Sequence, residues 1–270
     1  MKSDFTNIDA SGDPYVLVKN LEDINRQSAI KNYKRQSFDL LEASSGQSII
    51  DIGCGIGEDT RRLADTVGPL GHALGIDKSS AMIDEAQRRF GSGDLGQSLS
   101  FRVCAAEKLP FPDSSFDRAL VDRTLQHVDD PLLAIHEVYR VLKSSGRIVV
   151  IEPDWHTILF DTSDFEMGVR FSNFMADSFV RNGKVGRSIA RLAREVGFTE
   201  VKLLPVTTIL RNYDEAAVTF ALNPALEAMI QASAASEIEV ARFRNSLNEA
   251  SKSGAFLGTL AGFIYVGFKP

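Results

Sequence analysis

Three glycines at alternate positions, Gly53, Gly55 and Gly57, follow the run Ile49-Ile50-Asp51-Ile52 and precede a helix-like stretch. A strand that delivers the chain into so tight a turn needs positive φ, and glycine also removes the Cβ that would block a close ligand. Strand, loop and helix in this order make a nucleotide site. The spacing is not the G-x-G-x-x-G of dinucleotide enzymes, whose third glycine lets a helix start close to a pyrophosphate. A tighter loop suits a nucleoside without phosphates. Asp77 ends the short run Ala73-Leu74-Gly75-Ile76. A carboxylate at the end of a second strand can accept hydrogen bonds from both ribose hydroxyls. A plain strand-to-helix turn, and an aspartate capping the helix that opens near Ser79 and Ser80, are the simpler readings of these residues.

For these groups to meet, the chain must alternate strands and helices. Strands are predicted at 48–52, 73–77, 99–104, 117–122 and 146–152, and helices at 58–67, 79–90 and 131–143. This rhythm implies a doubly wound α/β fold, with a parallel sheet, right-handed crossovers and helices on both faces. Turns are expected at 67–71 and 91–94. Residues 1–14 read as loose. Residues 15–43 read as one or two helices, with Ile30, Tyr33, Leu40 and Leu41 at helical spacing, stopped at Ser44-Ser45-Gly46. After the fifth strand the rhythm breaks. Phe165, Val169, Phe171, Phe174, Met175, Phe179 and Val180 fit a helix with a broad apolar side, some packing inward and some lining a pocket. A helix at about 187–196 follows, and residues 213–251 read as mostly helical. Strands at about 199–210 and 256–268 would close a seven-stranded Rossmann-like sheet with its last strand antiparallel. The expected organisation is an N-terminal helical cap (1–44), a binding core (45–155), a helical lid insertion (156–184) and a return to the core with a helical substrate-cap segment (185–270).

The chain has 270 residues, 44% hydrophobic and 24% charged, which is enough for one large domain with a cap. A formal net charge of −6 argues against a nucleic-acid surface, which needs a concentrated basic footprint. Lys31, Lys34 and Arg35 form the most basic cluster and read as a solvated helix face. Cys54 and Cys104 fit neither a metal site nor a disulfide framework, so a reducing compartment is the default. The N-terminus shows no apolar signal-peptide core, and no apolar run approaches the roughly 18 residues a membrane span needs. The expectation is a cytoplasmic protein with no membrane span, no nucleic-acid partner and no metal; a homodimer is left open.

Several segments together resemble the class I S-adenosylmethionine-dependent methyltransferases, and within them the small-molecule branch that includes the ubiquinone and menaquinone biosynthesis C-methyltransferases. The matching residues are Asp51-Ile52-Gly53-Cys54-Gly55-Ile56-Gly57, Gly75-Ile76-Asp77 with Ser79 and Met82, and Ala106-Glu107-Lys108-Leu109-Pro110-Phe111. Phe116-Asp117, Leu125-Gln126-His127-Val128 and Val141-Leu142-Lys143 through Gly146-Arg147 continue the match. Segments 185–201 and 256–270 are similar to bacterial members of that branch.

The resemblance implies S-adenosylmethionine as cofactor and a small-molecule acceptor. The sulfonium is already activated, so the protein must align donor and acceptor, exclude water and often remove a proton. Gly53, Gly55 and Gly57 would admit the methionine and ribose portions, Asp51 would meet the donor's amino group, and Asp77 the ribose. Lys78, Met82, Ala106 and Glu107 would surround the nucleoside, although the family's usual adenine-contacting Asp is Ala105 here. Asp122 and Arg123 would face the methionine end, where the family normally has a small residue in place of Arg123. That arginine could pair with the donor carboxylate, with a substrate anion, or simply with Asp122 or Asp117. His127, after the fourth strand, is the first candidate for general base and His156 the second. Glu152, Asp154 and Trp155 cluster after the fifth strand as acceptor-side residues, with the Trp155 indole able to stack on a flat acceptor. The acceptor is expected to be small and partly apolar or aromatic, and the atom methylated is not readable.

Three rivals leave distinct marks. A nicotinamide oxidoreductase would carry the longer glycine spacing. A nucleic-acid methyltransferase would show Asn/Asp-Pro-Pro-aromatic where this chain has Asp122-Arg123-Thr124-Leu125. A non-catalytic S-adenosylmethionine-binding protein would keep the glycine loop and Asp77 and lose only turnover.

Overall fold

The structure is a computed structural model and describes residues 14–91 and 96–270. The loose segment expected at the N-terminus, and residues 92–94 of one expected turn, lie outside the described residues.

The sheet is built where β-branched runs meet glycine turns. β1 (Ser48–Ile52), β2 (His72–Asp77), β3 (Leu99–Val103), β4 (Phe116–Asp122) and β5 (Leu142–Pro153) pair in the parallel order β3-β2-β1-β4-β5. The helices α3 (Glu58–Val67), α4 (Ser80–Phe90) and α5 (Pro131–Val141) provide the crossovers. β8 (Gly258–Phe268) inserts antiparallel between β5 and β7 (Thr199–Leu210). A two-residue strand β6 (Leu159–Phe160) extends the line of β5 along β8, so the described sheet has eight strands where seven were expected. The sheet core is continuous from Ile50 and Ile76 to Val150 and Tyr265, all nearly inaccessible to solvent.

Local signals place the helix starts. Ser79 caps α4 by accepting from the Met82 N–H, and Asp130 caps α5 by accepting from Leu132 and Leu133 with Pro131 at the first turn. Ser236 and Glu239 form a reciprocal capping box on α10 (Glu237–Lys252). α7 (Val185–Val196) ends at Gly197 in the left-handed region.

Two helical groups flank the strand ends. α1 (Pro14–Arg26) and α2 (Ser28–Leu41) cover the glycine loop. α6 (Phe165–Phe174), a π-helical turn (Met175–Phe179), α8 (Tyr213–Thr219), α9 (Leu222–Gln231) and α10 share one apolar cluster around Phe171, Phe220, Phe243 and Phe256. The apolar residues of 165–180 divide: Phe171 is core, Met175 and Phe179 line a cavity, and Phe165 is 70% exposed. The Thr219 hydroxyl donates to Gln27 Oε1 at 3.0 Å, joining the two helical groups.

Candidate functional site

Asp77 organises the glycine loop. Its Oδ2 accepts from the Gly55 N–H at 3.0 Å and its Oδ1 from the Ser79 N–H at 2.9 Å. One carboxylate therefore fixes the turn after β1 and the start of α4. Gly53, Gly55 and Gly57 all have positive φ. Their surroundings differ. A Cβ on Gly53 would meet Thr124 at 2.2 Å and one on Gly57 would meet Phe101 at 2.7 Å, whereas one on Gly55 would find only Leu21 Cδ1, at 3.5 Å. Gly53 and Gly57 are packing glycines, and Gly55 is the one that faces open space.

That space is a cavity running along the carboxyl ends of the strands. Its end at the glycine loop is walled by Asp51, Gly53, Gly55, Asp77, Lys78, Met82, Ala106 and Glu107. Met82 is fully buried beneath the loop. Glu107 also accepts from the Asp129 N–H at 2.7 Å. Both cysteines lie on the wall; Cys104 sits just past β3 and is partly exposed, not buried in a strand.

The centre of the cavity is ionic. Asp51 accepts from Thr60 Oγ1 at 2.7 Å, and burial, with Asp59 nearby, pushes its carboxyl up to about 7. Lys34 reaches in from α2 to pair with Asp59 and, at 2.9 Å, with Asp122. Burial opposes its charge, but Asp122 and Asp59 more than offset this and raise its ammonium above the usual range. Burial likewise works against the Asp122 carboxylate, and Lys34 and Arg123 hold it below its ordinary value. Tyr33 donates to Asp122 at 3.3 Å. Arg123 has a left-handed backbone, φ 54°, lies 3.6 Å from Asp122 and donates to Asn25 at 3.3 Å. Of the two protein partners foreseen for Arg123, Asp122 is the one the fold supplies. Lys34, expected on a solvated face with Lys31 and Arg35, is buried, and the other two are exposed.

The far end is apolar. Trp155, Met175, Phe179, Val206, Val218 and Leu260 wall it, with Thr208 and Thr219 as polar points. The Trp155 indole N–H donates to Gln126 Oε1 at 2.6 Å, which fixes the ring. Glu152, at the end of β5, is fully buried and lines the cavity. Its Oε1 accepts from the Leu125 N–H, and burial pushes its carboxyl up to about 8.

The remaining candidates divide. His127 lines the cavity, but burial, with Lys78, Arg123 and Arg181 nearby, lowers its imidazole to about 3. It stays neutral at physiological pH and is a weak proton acceptor, which counts against the expected base. His156 is absent from the cavity wall; its Nε2 lies 3.3 Å from Asp177 Oδ2. Asp154 is also off the wall. It caps the turn at His156 and pairs with Arg187, a structural role in place of the acceptor role expected. Tyr33, Lys34, Asn25 and Asp59 were not foreseen, because an ionic helix face looks the same in sequence whether it meets water or a partner. The described residues hold no cluster of metal-ligating side chains.

The cavity fits a sulfonium nucleoside. Asp51, Asp59 and Asp122 line its centre together with Lys34 and Arg123, the Gly55 turn adjoins Asp77, and an apolar chamber lies beyond. Residues 43–194 match the family model described as a methyltransferase domain. An uncharacterized 37.1 kDa protein in transposon TN4556 of Streptomyces fradiae is 38% identical over 195 residues, covering 72% of this chain and 56% of that protein. The chain thus spans little more than half of that relative's length. A demethylmenaquinone methyltransferase of Listeria monocytogenes is 28% identical over 187 residues, covering 64% of this chain and 78% of the relative. Among solved structures, geranyl diphosphate C-methyltransferase from Streptomyces coelicolor, in complex with Mg²⁺, geranyl diphosphate and S-adenosyl-L-homocysteine, aligns with a TM-score of 0.57 at 17% identity over 89% of this chain and 79% of that one, a likeness of fold.

Proposed function

We propose, from the premise that this chain belongs to the methyltransferase-domain family and is a class I S-adenosylmethionine-dependent methyltransferase, that its acceptor is a small, uncharged, partly apolar or aromatic molecule. The observation that carries this reading is the continuity of one cavity from the Gly55–Asp77 cradle to the wall of Trp155, Phe179 and Leu260.

Bound S-adenosylmethionine supplies an activated methyl group whose leaving group is a neutral thioether. Asp77, at the end of β2 on the cavity wall beside Gly55, holds the ribose end. Asp51 and Asp122 place negative charge near the cationic centre. Asp51 does so more fully when ionised, so a cation beside it draws its carboxyl down from about 7. The chamber excludes water and holds a flat acceptor against the fixed indole, and this positioning supplies much of the rate advantage in a transfer between two aligned groups. A charged acceptor would lose its hydration at the apolar wall without a matching partner.

Calorimetry with S-adenosylhomocysteine, followed by competition with uncharged and charged aromatic acceptors, tests the reading. Uncharged alkylphenols are expected to bind the S-adenosylhomocysteine complex at least tenfold more tightly than aromatic carboxylates or amines of equal size. Equal or reversed preference would overturn it.

A further inference from the structure

We propose that Glu152 is the catalytic proton acceptor of this site, and that the acceptor molecule therefore carries an ionisable O–H or C–H proton. This rests on the small, uncharged acceptor proposed above and names its reactive group. The end of β5 is clamped from two sides. A Cβ on Gly186 of α7 would lie 2.5 Å from the Pro153 carbonyl oxygen, and one on Gly262 of β8 would lie 2.6 Å from that of Glu152. Only glycine admits both neighbours, so the backbone beneath the carboxyl is held closely on two sides. Oε1 is then pinned by the Leu125 N–H. Oε2 is buried, has no hydrogen-bond partner among the described residues, and belongs to a carboxyl on the wall of the cavity. A buried carboxylate oxygen left unpaired costs stability, and a substrate O–H would satisfy it.

The surrounding charges suit proton exchange. Asp122 disfavours a second carboxylate, and the N–H groups of Leu125, Thr124 and Gln126 favour it. Arg123 faces Glu152, and its cation favours the charged form. His127 and Asp51 share the cavity with Glu152. In the step itself, which starts from the ionised form of Glu152, the acceptor O–H or C–H bond gives its proton to Oε2 and its electron pair to the methyl carbon. The carbon–sulfur bond breaks with its pair left on sulfur. The products are the methylated acceptor, neutral S-adenosylhomocysteine and a protonated Glu152, and the charges of sulfonium and carboxylate cancel.

The test is a ladder of uncharged alkylphenols and their fluorinated analogues of rising acidity, turned over by wild type, Glu152→Gln and Glu152→Asp. The Gln amide oxygen can still accept from Leu125, so the fold and S-adenosylhomocysteine affinity, checked by thermal midpoint and calorimetry, are expected to stay within about twofold of wild type. On the weakest acids Glu152→Gln is expected to lose about 10²–10⁴-fold in turnover. On the most acidic phenols, which enter already ionised, it is expected to lose far less. Glu152→Asp is expected to fall between. Infrared difference spectra of the S-adenosylhomocysteine complex are expected to show a protonated-carboxyl band that titrates in the neutral to mildly alkaline range and is missing in Glu152→Gln. A flat loss across the ladder, no loss, or no such band would overturn the proposal alone. No wild-type turnover anywhere on the ladder would overturn it together with the acceptor class.

Discussion

Asp77 and Asp51 are both wall carboxylates, yet their substitutions should behave differently. Asp77 ties Gly55 to Ser79, so Asp77→Ala removes a binding group and loosens the loop that carries it. Losing hydrogen bonds to a charged group costs about 1.5–3 kcal/mol, so S-adenosylhomocysteine affinity measured by calorimetry should fall at least tenfold. Unchanged affinity would remove Asp77 from the site. Asp51 has a folded value raised to about 7, mainly by burial. Its contribution to folding stability is fully present below the unfolded carboxylate range and is lost as pH rises to about 7, because the unfolded chain ionises first. Asp51→Asn should therefore gain in thermal midpoint relative to wild type as pH rises from the ordinary carboxylate range to about 7. Donor affinity of wild type should strengthen over the same range, as an ionised Asp51 meets a cation, and Asp51→Asn should lose that trend. A pH-independent difference in midpoint would show that Asp51 is not buried as a neutral acid.

At the scale of elements, the glycine loop and the N-terminal cap make separable claims. Gly55→Ala introduces a Cβ in ordinary contact with Leu21 at a positive φ, a strain of about 1–2 kcal/mol. Gly57→Ala adds contact with Phe101 at 2.7 Å and Ala86 at 2.9 Å. Thermal melts should therefore rank Gly57→Ala clearly below Gly55→Ala, while Gly55→Val keeps the fold and loses donor binding; the reverse ranking would misplace the open side of the loop. α2 is held by Lys34 between Asp59 and Asp122. Lys34→Met leaves Asp59 without its cation and Asp122 with Arg123 alone, a loss of up to about 3–5 kcal/mol for breaking a buried pair. Hydrogen exchange in α1 and α2 should accelerate in this variant well beyond that in β1 or β4. Uniform exchange would mean the cap is held by apolar packing instead. The alternation of β-branched runs, glycine turns and caps made β1–β5 and α3–α5 readable within a residue or two, apart from the early start of β5 at Leu142. The tertiary partners of α2 were not readable. Tyr33 and Lys34 belong to an ordinary amphipathic pattern, and only the return of β4 beside α2 turns that lysine into a buried ion. His156 and Asp154 were misplaced for a related reason: the chain turns at Trp155 and carries both away from the cavity that Glu152 and Trp155 face.

Across the whole molecule, the glycine-loop end, an ionic centre and an apolar end lie in one cavity beneath two helical groups joined by Thr219 and Gln27. No helix among the described residues is long and apolar enough to cross a membrane. A ligand that prefers the native state raises stability by about 2.7 kcal/mol at one hundred times its dissociation constant, so S-adenosylmethionine and S-adenosylhomocysteine should raise the thermal midpoint while NAD leaves it unchanged. The most direct measurement of the central claim is transfer of a labelled methyl group from S-adenosylmethionine to a mixture of uncharged phenols and acidic C–H compounds, with peptide and RNA added as competitors. The expected result is label in the organic extract, abolished by Asp77→Ala. Label on peptide or RNA, or tight S-adenosylmethionine binding with no label transferred to any acceptor in the mixture, would contradict the account.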